Sequence, residues 1–280
     1  DEVASLVVGP PTVGATVCGT VTNVSGNIAG FVTGTAPNFF VNPNAVTIPP
    51  GQDFVTWNGV GQTQFCGTGF GGYAISTRIY RTPNPVFTGS NVVCEGDNNV
   101  PYSVALVAGN TYVWSIVPAS AGTILGGQST NAITVNWLQA GSHQVRLGQT
   151  ANYTSPTASC PKTVNYGITV NPSPTPVVST TSASACETTT GHVYTIATPV
   201  ANRTYVWSIS ANGTITSAVM PTSTSITVTW NSAGAGTVTV VETNTLTNCS
   251  KSVIQNVTIN PLPAPAFSVV NVCEGTIGLS

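Results

Sequence analysis

The sequence predicts an all-β protein of tandem antiparallel β-sandwiches, and three observations support this prediction. Two segments recur at one fixed offset, apolar and polar residues alternate within each copy, and prolines and cysteines return at the edges of the copies. Recurrence at a fixed offset indicates an internal repeat. Alternation with a period of two indicates strands that are buried on one face, and about seven such short strands per copy are typical of a sandwich.

Two pairs of matching segments define the repeat. Tyr-Val-Trp-Ser-Ile occurs at residues 112–116 and again at 205–209. Ile-Thr-Val followed by one residue and Trp occurs at residues 133–137 and again at 226–230. Both pairs are 93 residues apart, an agreement that composition bias does not readily produce. The chain therefore contains two copies of one module.

Proline-rich segments mark the predicted domain boundaries. Asn-Pro-Ser-Pro-Thr-Pro at residues 171–176 returns as Asn-Pro-Leu-Pro-Ala-Pro at residues 260–265. Proline fixes φ and lacks an N–H donor, so alternating prolines suit a short, stiff connector. We predict a first repeat over residues 89–172 and a second repeat over residues 173–260. The other predicted units are a divergent N-terminal sandwich over residues 1–88, called the N-terminal module, and the start of a further, truncated repeat over residues 261–280.

Aromatic residues of the matching segments are predicted to form the core of each repeat. In each copy a tyrosine and a tryptophan fall on the apolar face of one strand, where sandwiches commonly bury a tryptophan. A second tryptophan ends the other matching strand. The predicted core residues are Tyr112, Trp114, Trp137, Tyr205, Trp207 and Trp230.

Composition excludes two classes of partner. Only 5% of the residues are charged and 41% are hydrophobic, so Ser, Thr, Asn and Gly must supply most of the polar surface. The six Lys and Arg residues are scattered and cannot form the basic stripe that neutralises a nucleic-acid backbone. No apolar run approaches the roughly 18 residues needed to span a bilayer. We expect neither nucleic-acid binding nor membrane insertion.

Seven cysteines spaced in step with the repeat indicate an oxidising compartment. Cys94 and Cys160 lie 66 residues apart, and Cys186 and Cys249 lie 63 residues apart. This regularity favours one disulfide within each repeat.

The remaining cysteines complete two alternative pairing schemes. In the favoured scheme Cys18 bonds Cys66, and Cys273 bonds a partner outside the fragment. In the rival scheme disulfides join successive units and Cys18 stays alone. The rival pairs are Cys66–Cys94, Cys160–Cys186 and Cys249–Cys273.

The sequence contains no recognisable catalytic or metal centre. His143 and His192 fall at different points of the repeat, and no nucleophile elbow, P-loop or zinc motif occurs. The one oxygen-rich cluster, at residues 95–99, has no counterpart in the second repeat. We interpret it as a solvated turn rather than a calcium site, which would need six or more oxygen ligands. We expect no enzyme activity and no cofactor.

The order of motifs resembles that of a known family. Val-Cys-Glu-Gly, Tyr-x-Trp-Ser-Ile, Ile-Thr-Val-x-Trp, an Ala-Gly turn, a cysteine and Asn-Pro-x-Pro are similar to the PKD-like, Ig-type repeats of Bacteroidetes-type secreted surface proteins. The resemblance covers residues 90–280 and implies tandem Ig-like/PKD-like sandwiches. It also implies an adhesin or multidomain exoprotein at the cell surface, exported as a type IX secretion substrate.

These observations together predict an extracellular structural or adhesive protein. Its sandwiches would act as stiff spacers that display or assemble the N-terminal module at the cell surface. The expected partners are further repeats of the same chain, and like chains or a surface polysaccharide. Two alternatives stay open: a carbohydrate-binding accessory region of a secreted multidomain enzyme, and a subunit of an extracellular filament that donates a strand from residues 1–9 to a neighbouring sheet.

Overall fold

The protein is all-β, as the alternating sequence pattern predicted. The computed structural model describes residues 20–26, 32–35, 38–41, 46–65, 69–154, 157–180 and 183–268. Within these residues the chain forms twenty strands and one short 3-10 turn. The predicted N-terminal strand over residues 1–9, Cys18, Cys66 and Cys273 lie outside the described residues.

The described strands of the N-terminal module form one sheet and one separate hairpin. The sheet is antiparallel, with strand order β1-β4-β5, and the hairpin pairs β2 with β3. Trp57 of the central strand β4 is buried. The strands are β1 (Thr20–Gly26), β2 (Val32–Thr35), β3 (Asn38–Val41), β4 (Phe54–Phe65) and β5 (Gly69–Tyr80).

The first repeat is a sandwich of a three-stranded and a four-stranded sheet. The strand orders are β7-β10-β9 and β6-β12-β11-β8, and a 3-10 turn at Ala119–Ala121 connects β8 to β9. The strands are β6 (Val92–Cys94), β7 (Val100–Ser103), β8 (Asn110–Val117), β9 (Gly122–Gly126), β10 (Ala132–Trp137), β11 (Gly141–Thr154) and β12 (Thr157–Asn171).

The second repeat has the same architecture with one additional edge strand. Its sheets have the orders β13-β15-β18-β17 and β14-β20-β19-β16. The additional strand β13 pairs with β15, and the first repeat has only an isolated bridge between Thr88 and Ser103 at this place. The strands are β13 (Val178–Thr180), β14 (Ser184–Cys186), β15 (His192–Ile196), β16 (Arg203–Ile209), β17 (Gly213–Ile215), β18 (Ser225–Trp230), β19 (Gly234–Asn244) and β20 (Ser250–Asn260).

Each repeat buries its own core between its two sheets. In both cores a tryptophan indole N–H donates to a tyrosine hydroxyl on the neighbouring strand, from Trp137 to Tyr102 at 3.1 Å and from Trp230 to Tyr194 at 3.2 Å. These bonds satisfy the polar atoms of large rings that are otherwise removed from water. The buried residues of the two cores include Tyr112, Trp114 and Trp137 in the first repeat and Tyr205, Trp207 and Trp230 in the second.

A short parallel strand closes the four-stranded sheet of each repeat. β6 lies parallel to the end of β12, with Cys94 opposite Asn171, and β14 lies parallel to the end of β20, with Cys186 opposite Asn260. Both strands therefore place a cysteine where the chain leaves the repeat. The hairpin tip that joins the last two strands lies at the opposite end of the sandwich.

Candidate functional site at the module junctions

A disulfide joins the two repeats across their junction. Cys94 of the first repeat is bonded to Cys249 of the second, with a Cα–Cα distance of 5.5 Å and a sequence separation of 155 residues. The predicted bonds within each repeat, Cys94–Cys160 and Cys186–Cys249, are therefore wrong. The rival bonds Cys66–Cys94 and Cys249–Cys273 are wrong for the same reason. Cys160 and Cys186 are free thiols rather than a bonded pair.

The length of the strands explains why a bond within a repeat cannot form. Cys186 lies opposite Asn260, whereas Cys249 precedes Asn260 by 11 residues of nearly continuous strand. At about 3.3 Å per residue, these two cysteines lie about 35 Å apart along the sheet. A disulfide requires Cα atoms within about 7 Å. Cysteines of one repeat are thus at opposite ends, and cysteines of adjacent repeats meet.

Backbone contacts hold Cys94 at the exit end of the first repeat. The backbone N–H of Cys94 donates to the Asp97 carboxylate at 2.7 Å, and the N–H of Glu95 donates to the Asn171 carbonyl at 2.8 Å. The N–H of Gly96 continues this pattern by donating to the Trp137 carbonyl at 2.9 Å. The acidic cluster that follows Cys94 is therefore part of the turn that orients the cysteine.

A tight hairpin turn presents Cys249 from the entry end of the second repeat. The N–H of Asn244 donates to the Cys249 carbonyl at 2.8 Å, and the N–H of Asn248 donates to the Asn244 carbonyl at 2.8 Å. Asn248 has a φ of 60°, a left-handed conformation that asparagine tolerates better than most residues. Cys249 has no exposed surface.

Each free cysteine is equivalent to the cysteine of the other repeat that is in the disulfide. Cys160 precedes the end of β12 by 11 residues, as Cys249 does in β20, and Cys186 ends β14 as Cys94 ends β6. Burial raises the pKa of the Cys160 thiol, whereas Cys186 is exposed. Each repeat thus carries one cysteine at its entry end and one at its exit end.

Sequence reasoning considered disulfides between successive units only as the rival scheme, and it did not pair Cys94 with Cys249. One signal was available, because the second cysteine of each copy precedes the Asn-Pro connector by a full strand length. That spacing places the cysteine far from the connector that follows it. The approach of Cys94 to Cys249 depends on how two sandwiches meet, and no spacing within one repeat encodes that contact.

Aromatic packing joins the N-terminal module to the first repeat. The Tyr153 ring lies 4.7 Å from the Tyr80 ring between centroids, and its hydroxyl donates to the Arg81 carbonyl at 2.6 Å. The Arg81 guanidinium donates to the carbonyls of Ile48 at 3.0 Å and Gln52 at 3.1 Å. Tyr153 therefore joins the first repeat to the N-terminal module, and the Arg81 side chain holds together the end of that module.

A cleft of about 360 Å³ opens beside Tyr153 at the same junction. Its lining includes Asp53, Asn84, Asn110 and Gln149. Gln149 is only 3% exposed, and its side-chain oxygen has no hydrogen-bond partner among the described residues. Such a group is costly unless a water or ligand satisfies it.

The second repeat fills the equivalent position with an ion pair. Glu242 lies opposite Tyr205 as Gln149 lies opposite Tyr112, so Glu242 and Gln149 are equivalent. Arg203 Nε lies 3.1 Å from a Glu242 carboxylate oxygen, and both side chains are largely buried. The angle at the N–H is not that of a hydrogen bond, so the contact is an ion pair. The residue equivalent to Arg203 in the first repeat is the shorter Asn110, which leaves the cleft open.

The described residues group no catalytic or metal-binding side chains. No set of three or more His, Cys, Asp or Glu residues among them could hold a metal ion. His143 hydrogen-bonds the Gln139 carbonyl and His192 the Thr189 hydroxyl, so each makes a local contact within its own repeat. Among the same residues, no helix is sufficiently long and apolar to cross a membrane.

Solved structures similar to this chain include a SusE-like protein, a protocadherin and intimin. A SusE-like surface located polysaccharide binding protein from Bacteroides thetaiotaomicron is 8% identical, with a TM-score of 0.35, over 88% of this chain and 68% of that chain. Protocadherin gamma B2 extracellular cadherin domains 3–6 are 11% identical, with a TM-score of 0.24, over 88% and 69%. The D00-D0 domain of intimin is 14% identical, with a TM-score of 0.26, over 62% and 100%.

Sequence comparison identifies the family directly. No curated protein matches the sequence. The PKD-like domain family matches twice, over residues 81–169 and 171–259, which together make up more than half of the chain. These two matches coincide with the two sandwiches that the Cys94–Cys249 disulfide joins. The chain belongs to the PKD-like domain family.

Proposed function

We propose that the chain is an extracellular structural or adhesive repeat protein whose repeats form a stiff spacer behind the N-terminal module. The observation that supports this best is the Cys94–Cys249 disulfide, which joins two separate cores across their junction. Disulfides persist mainly in oxidising compartments, so the bond favours a location outside the cytosol. Within this proposal the units are residues 1–88, 89–172, 173–260 and 261–280.

Two links at one junction restrict bending more than one link does. The polypeptide crosses from repeat to repeat through the proline-rich segment after Asn171, and Ser173 is held to the first repeat by a hydrogen bond to the Glu95 carbonyl. The disulfide adds a second, covalent crossing. A hinge about the polypeptide alone would have to stretch the disulfide, so rotation between the repeats is limited.

The surface of the repeats suits close contact with like chains or a polysaccharide. Few residues are charged and the formal net charge is −2, so repulsion between neighbouring chains is weak. Export by the type IX system, which the sequence resemblance implies, is a finer part of the same proposal, and assembly into filaments is an alternative to it.

Distance measurement between the repeats tests the spacer function. Val113 and Val206 are equivalent exposed residues of the two repeats, and both can carry spin labels on encoded azide side chains that spare the cysteines. We expect a narrow distance distribution in the wild-type protein and a broad one in Cys94→Ser. A label pair at Val113 and Leu138, both in the first repeat, should be unaffected by that variant. Equal widths with and without the disulfide would contradict a stiffening role.

Electron microscopy of intact cells tests the location. Immunogold labelling with an antibody against the N-terminal module should decorate the cell exterior, at the ends of beaded stalks. Regular multi-chain fibres would support the filament alternative, and gold confined to the cytosol would overturn the extracellular proposal.

A second candidate function is saccharide binding at the cleft beside Tyr153. The buried, unsatisfied oxygen of Gln149 and the neighbouring ring favour a hydroxyl-rich ligand, because sugar hydroxyls donate hydrogen bonds and sugar faces pack on aromatic rings. Burial of Trp57 counts against an extended row of exposed rings in the N-terminal module.

The second repeat supplies a variant that closes this cleft. Asn110→Arg with Gln149→Glu installs the ion pair that Arg203 and Glu242 form in the second repeat. On a glycan array, wild-type protein should bind a saccharide that this double variant does not. Failure of the wild-type protein to bind any saccharide, or equal binding by both proteins, would rule the candidate out.

A further inference from the structure

The exit end of the second repeat has the same arrangement as the exit end of the first repeat, to which the second repeat is bonded. At this end Cys186 takes the place of Cys94, as the last residue of the parallel strand. The N–H of Glu187 donates to the Asn260 carbonyl at 2.9 Å, and the N–H of Thr188 donates to the Trp230 carbonyl at 2.7 Å. These are the bonds that Glu95 and Gly96 make around the bonded cysteine.

The chain also leaves both repeats along equivalent paths. The connector after Asn171 is held to the turn after Cys94 through Ser173. The connector after Asn260 is held to the turn after Cys186, because the N–H of Leu262 donates to the Glu187 carboxylate at 3.0 Å. The connector after the second repeat therefore leaves that repeat in the same way as the connector after the first repeat leaves the first.

The complementary surface is the hairpin tip at the entry end of a repeat. In both repeats this tip carries a cysteine 11 residues before the asparagine that ends the last strand, Cys160 in the first and Cys249 in the second. In the second repeat this cysteine is bonded to the preceding repeat. A repeat that follows the second one would present its own hairpin cysteine to Cys186.

We propose that Cys186 is the attachment site for the hairpin cysteine of a further PKD-like repeat in the same chain, so that each junction between repeats carries one disulfide. The proposal deepens the spacer function and rests on it for the oxidising exterior. Two thiols lose two protons and two electrons when the Cys186 disulfide forms. A small-molecule disulfide such as oxidised glutathione accepts them, and its own S–S bond is replaced by two thiols.

Bonds arranged in this way enclose overlapping segments of chain. The Cys94–Cys249 bond encloses Cys186, so a bond from Cys186 to the next repeat begins inside one loop and ends outside it. Consecutive disulfide loops would therefore share a segment of chain, and each junction between repeats would be crossed by a disulfide as well as by the polypeptide.

An extended chain tests the proposal directly. A second copy of residues 172–260 is placed after Asn260, so that its first proline stands where Pro261 stands and its hairpin cysteine approaches Cys186. Each repeat has a separate core, which supports folding of the added copy. The protein is oxidised with oxidised glutathione, free thiols are blocked with a maleimide, and disulfides are mapped on unreduced peptides.

We expect Cys186 to lose its maleimide reactivity and to be recovered in a peptide bonded to the hairpin cysteine of the added copy. A matched variant with serine in place of that hairpin cysteine should restore full labelling of Cys186. Labelled Cys186 in the extended chain, with the Cys94–Cys249 bond intact, would overturn the proposal and leave the spacer function standing. Absence of the Cys94–Cys249 bond itself would instead count against the spacer function.

Discussion

Single residues show where the two copies of the module have diverged in stability. The turn after the parallel strand requires a left-handed backbone, which Gly96 adopts in the first repeat with a φ of 88°. The second repeat places Thr188 there with a φ of 61°. A β-branched residue is strained in this region, whereas glycine is not. The second repeat therefore carries a local cost that the first repeat avoids.

Exchanging these two residues should change stability in opposite directions. Thr188→Gly should stabilise the second repeat and Gly96→Thr should destabilise the first, each by about 1 kcal/mol. A Cβ added at Gly96 would meet no atom within 4 Å, so the cost there comes from the backbone alone. Hydrogen exchange measures the free energy of unfolding of each repeat separately. Changes of the same sign in both repeats would contradict this explanation.

The buried Tyr102 hydroxyl predicts a loss of stability at alkaline pH. Burial raises its pKa to about 12. The folded protein therefore keeps a proton that the unfolded chain releases near pH 10. The stabilising contribution is complete below about pH 10 and falls by about 2 to 3 kcal/mol as the pH rises to about 12. Burial raises the pKa of Tyr194 in the second repeat as well, so both repeats should weaken.

Urea unfolding at about pH 9 and about pH 11.5 measures this loss. Free thiols should be blocked first, because thiolates exchange with disulfides at high pH. Tyr102→Phe also removes the acceptor of the Trp137 N–H, so it is less stable throughout. Its free energy of unfolding should nevertheless fall less steeply with pH than that of the wild-type protein. Parallel slopes would show that Tyr102 is not the titrating group.

At the scale of strands, the ion pair between Arg203 and Glu242 joins β16 to β19 in the second repeat. The equivalent residues of the first repeat, Asn110 and Gln149, are uncharged. Arg203→Asn alone would leave the Glu242 carboxylate buried without its partner, which costs about 3 to 5 kcal/mol. Adding Glu242→Gln removes that charge and installs the Asn and Gln of the first repeat. The double variant should therefore recover most of the lost stability.

A double-mutant cycle on the free energy of unfolding tests this prediction. The two single variants and the double variant are compared in urea, with the equivalent substitution Asn110→Ala in the first repeat as a control for truncation near the hairpin. A double variant as unstable as Arg203→Asn would show that packing of the arginine stem, rather than its charge, holds β16 against β19.

The strands themselves were largely predictable, whereas their partners were not. Period-two alternation located the strands that contain Trp114, Trp137, Trp207 and Trp230, because one face of each strand is buried. The same alternation contains no information about whether a short edge strand pairs parallel or antiparallel. The parallel placement of β6 and β14, which carries Cys94 and Cys186 to the exit ends, therefore emerged only from the sheet topology.

At the scale of the whole molecule, the disulfide changes which part of the chain can respond to tension. A force applied to the two termini is carried by the disulfide between Cys94 and Cys249. The chain between these cysteines, which are 155 residues apart in sequence, does not carry that force. The cores of both repeats lie mainly within this bypassed segment. Even after unfolding, the enclosed segment cannot lengthen while the bond is intact. The bond also reduces the entropy of the unfolded chain, a stabilisation of about 5 kcal/mol for a loop of this size in the chain-entropy account.

Single-molecule force spectroscopy of the full chain held by its termini should reveal this bypass. The fully extended length of Cys94→Ser should exceed that of the wild-type protein by about 500 Å, the contour length of the released segment at about 3.4 Å per residue. Cys186→Ser is the matched control, because Cys186 is a free thiol and its loss should leave the extended length unchanged. Equal lengths for the wild-type protein and Cys94→Ser would mean that the two repeats are not covalently joined under load. The added length would show that this chain limits its own extension through the disulfide at its junction rather than through the strength of its individual sandwiches.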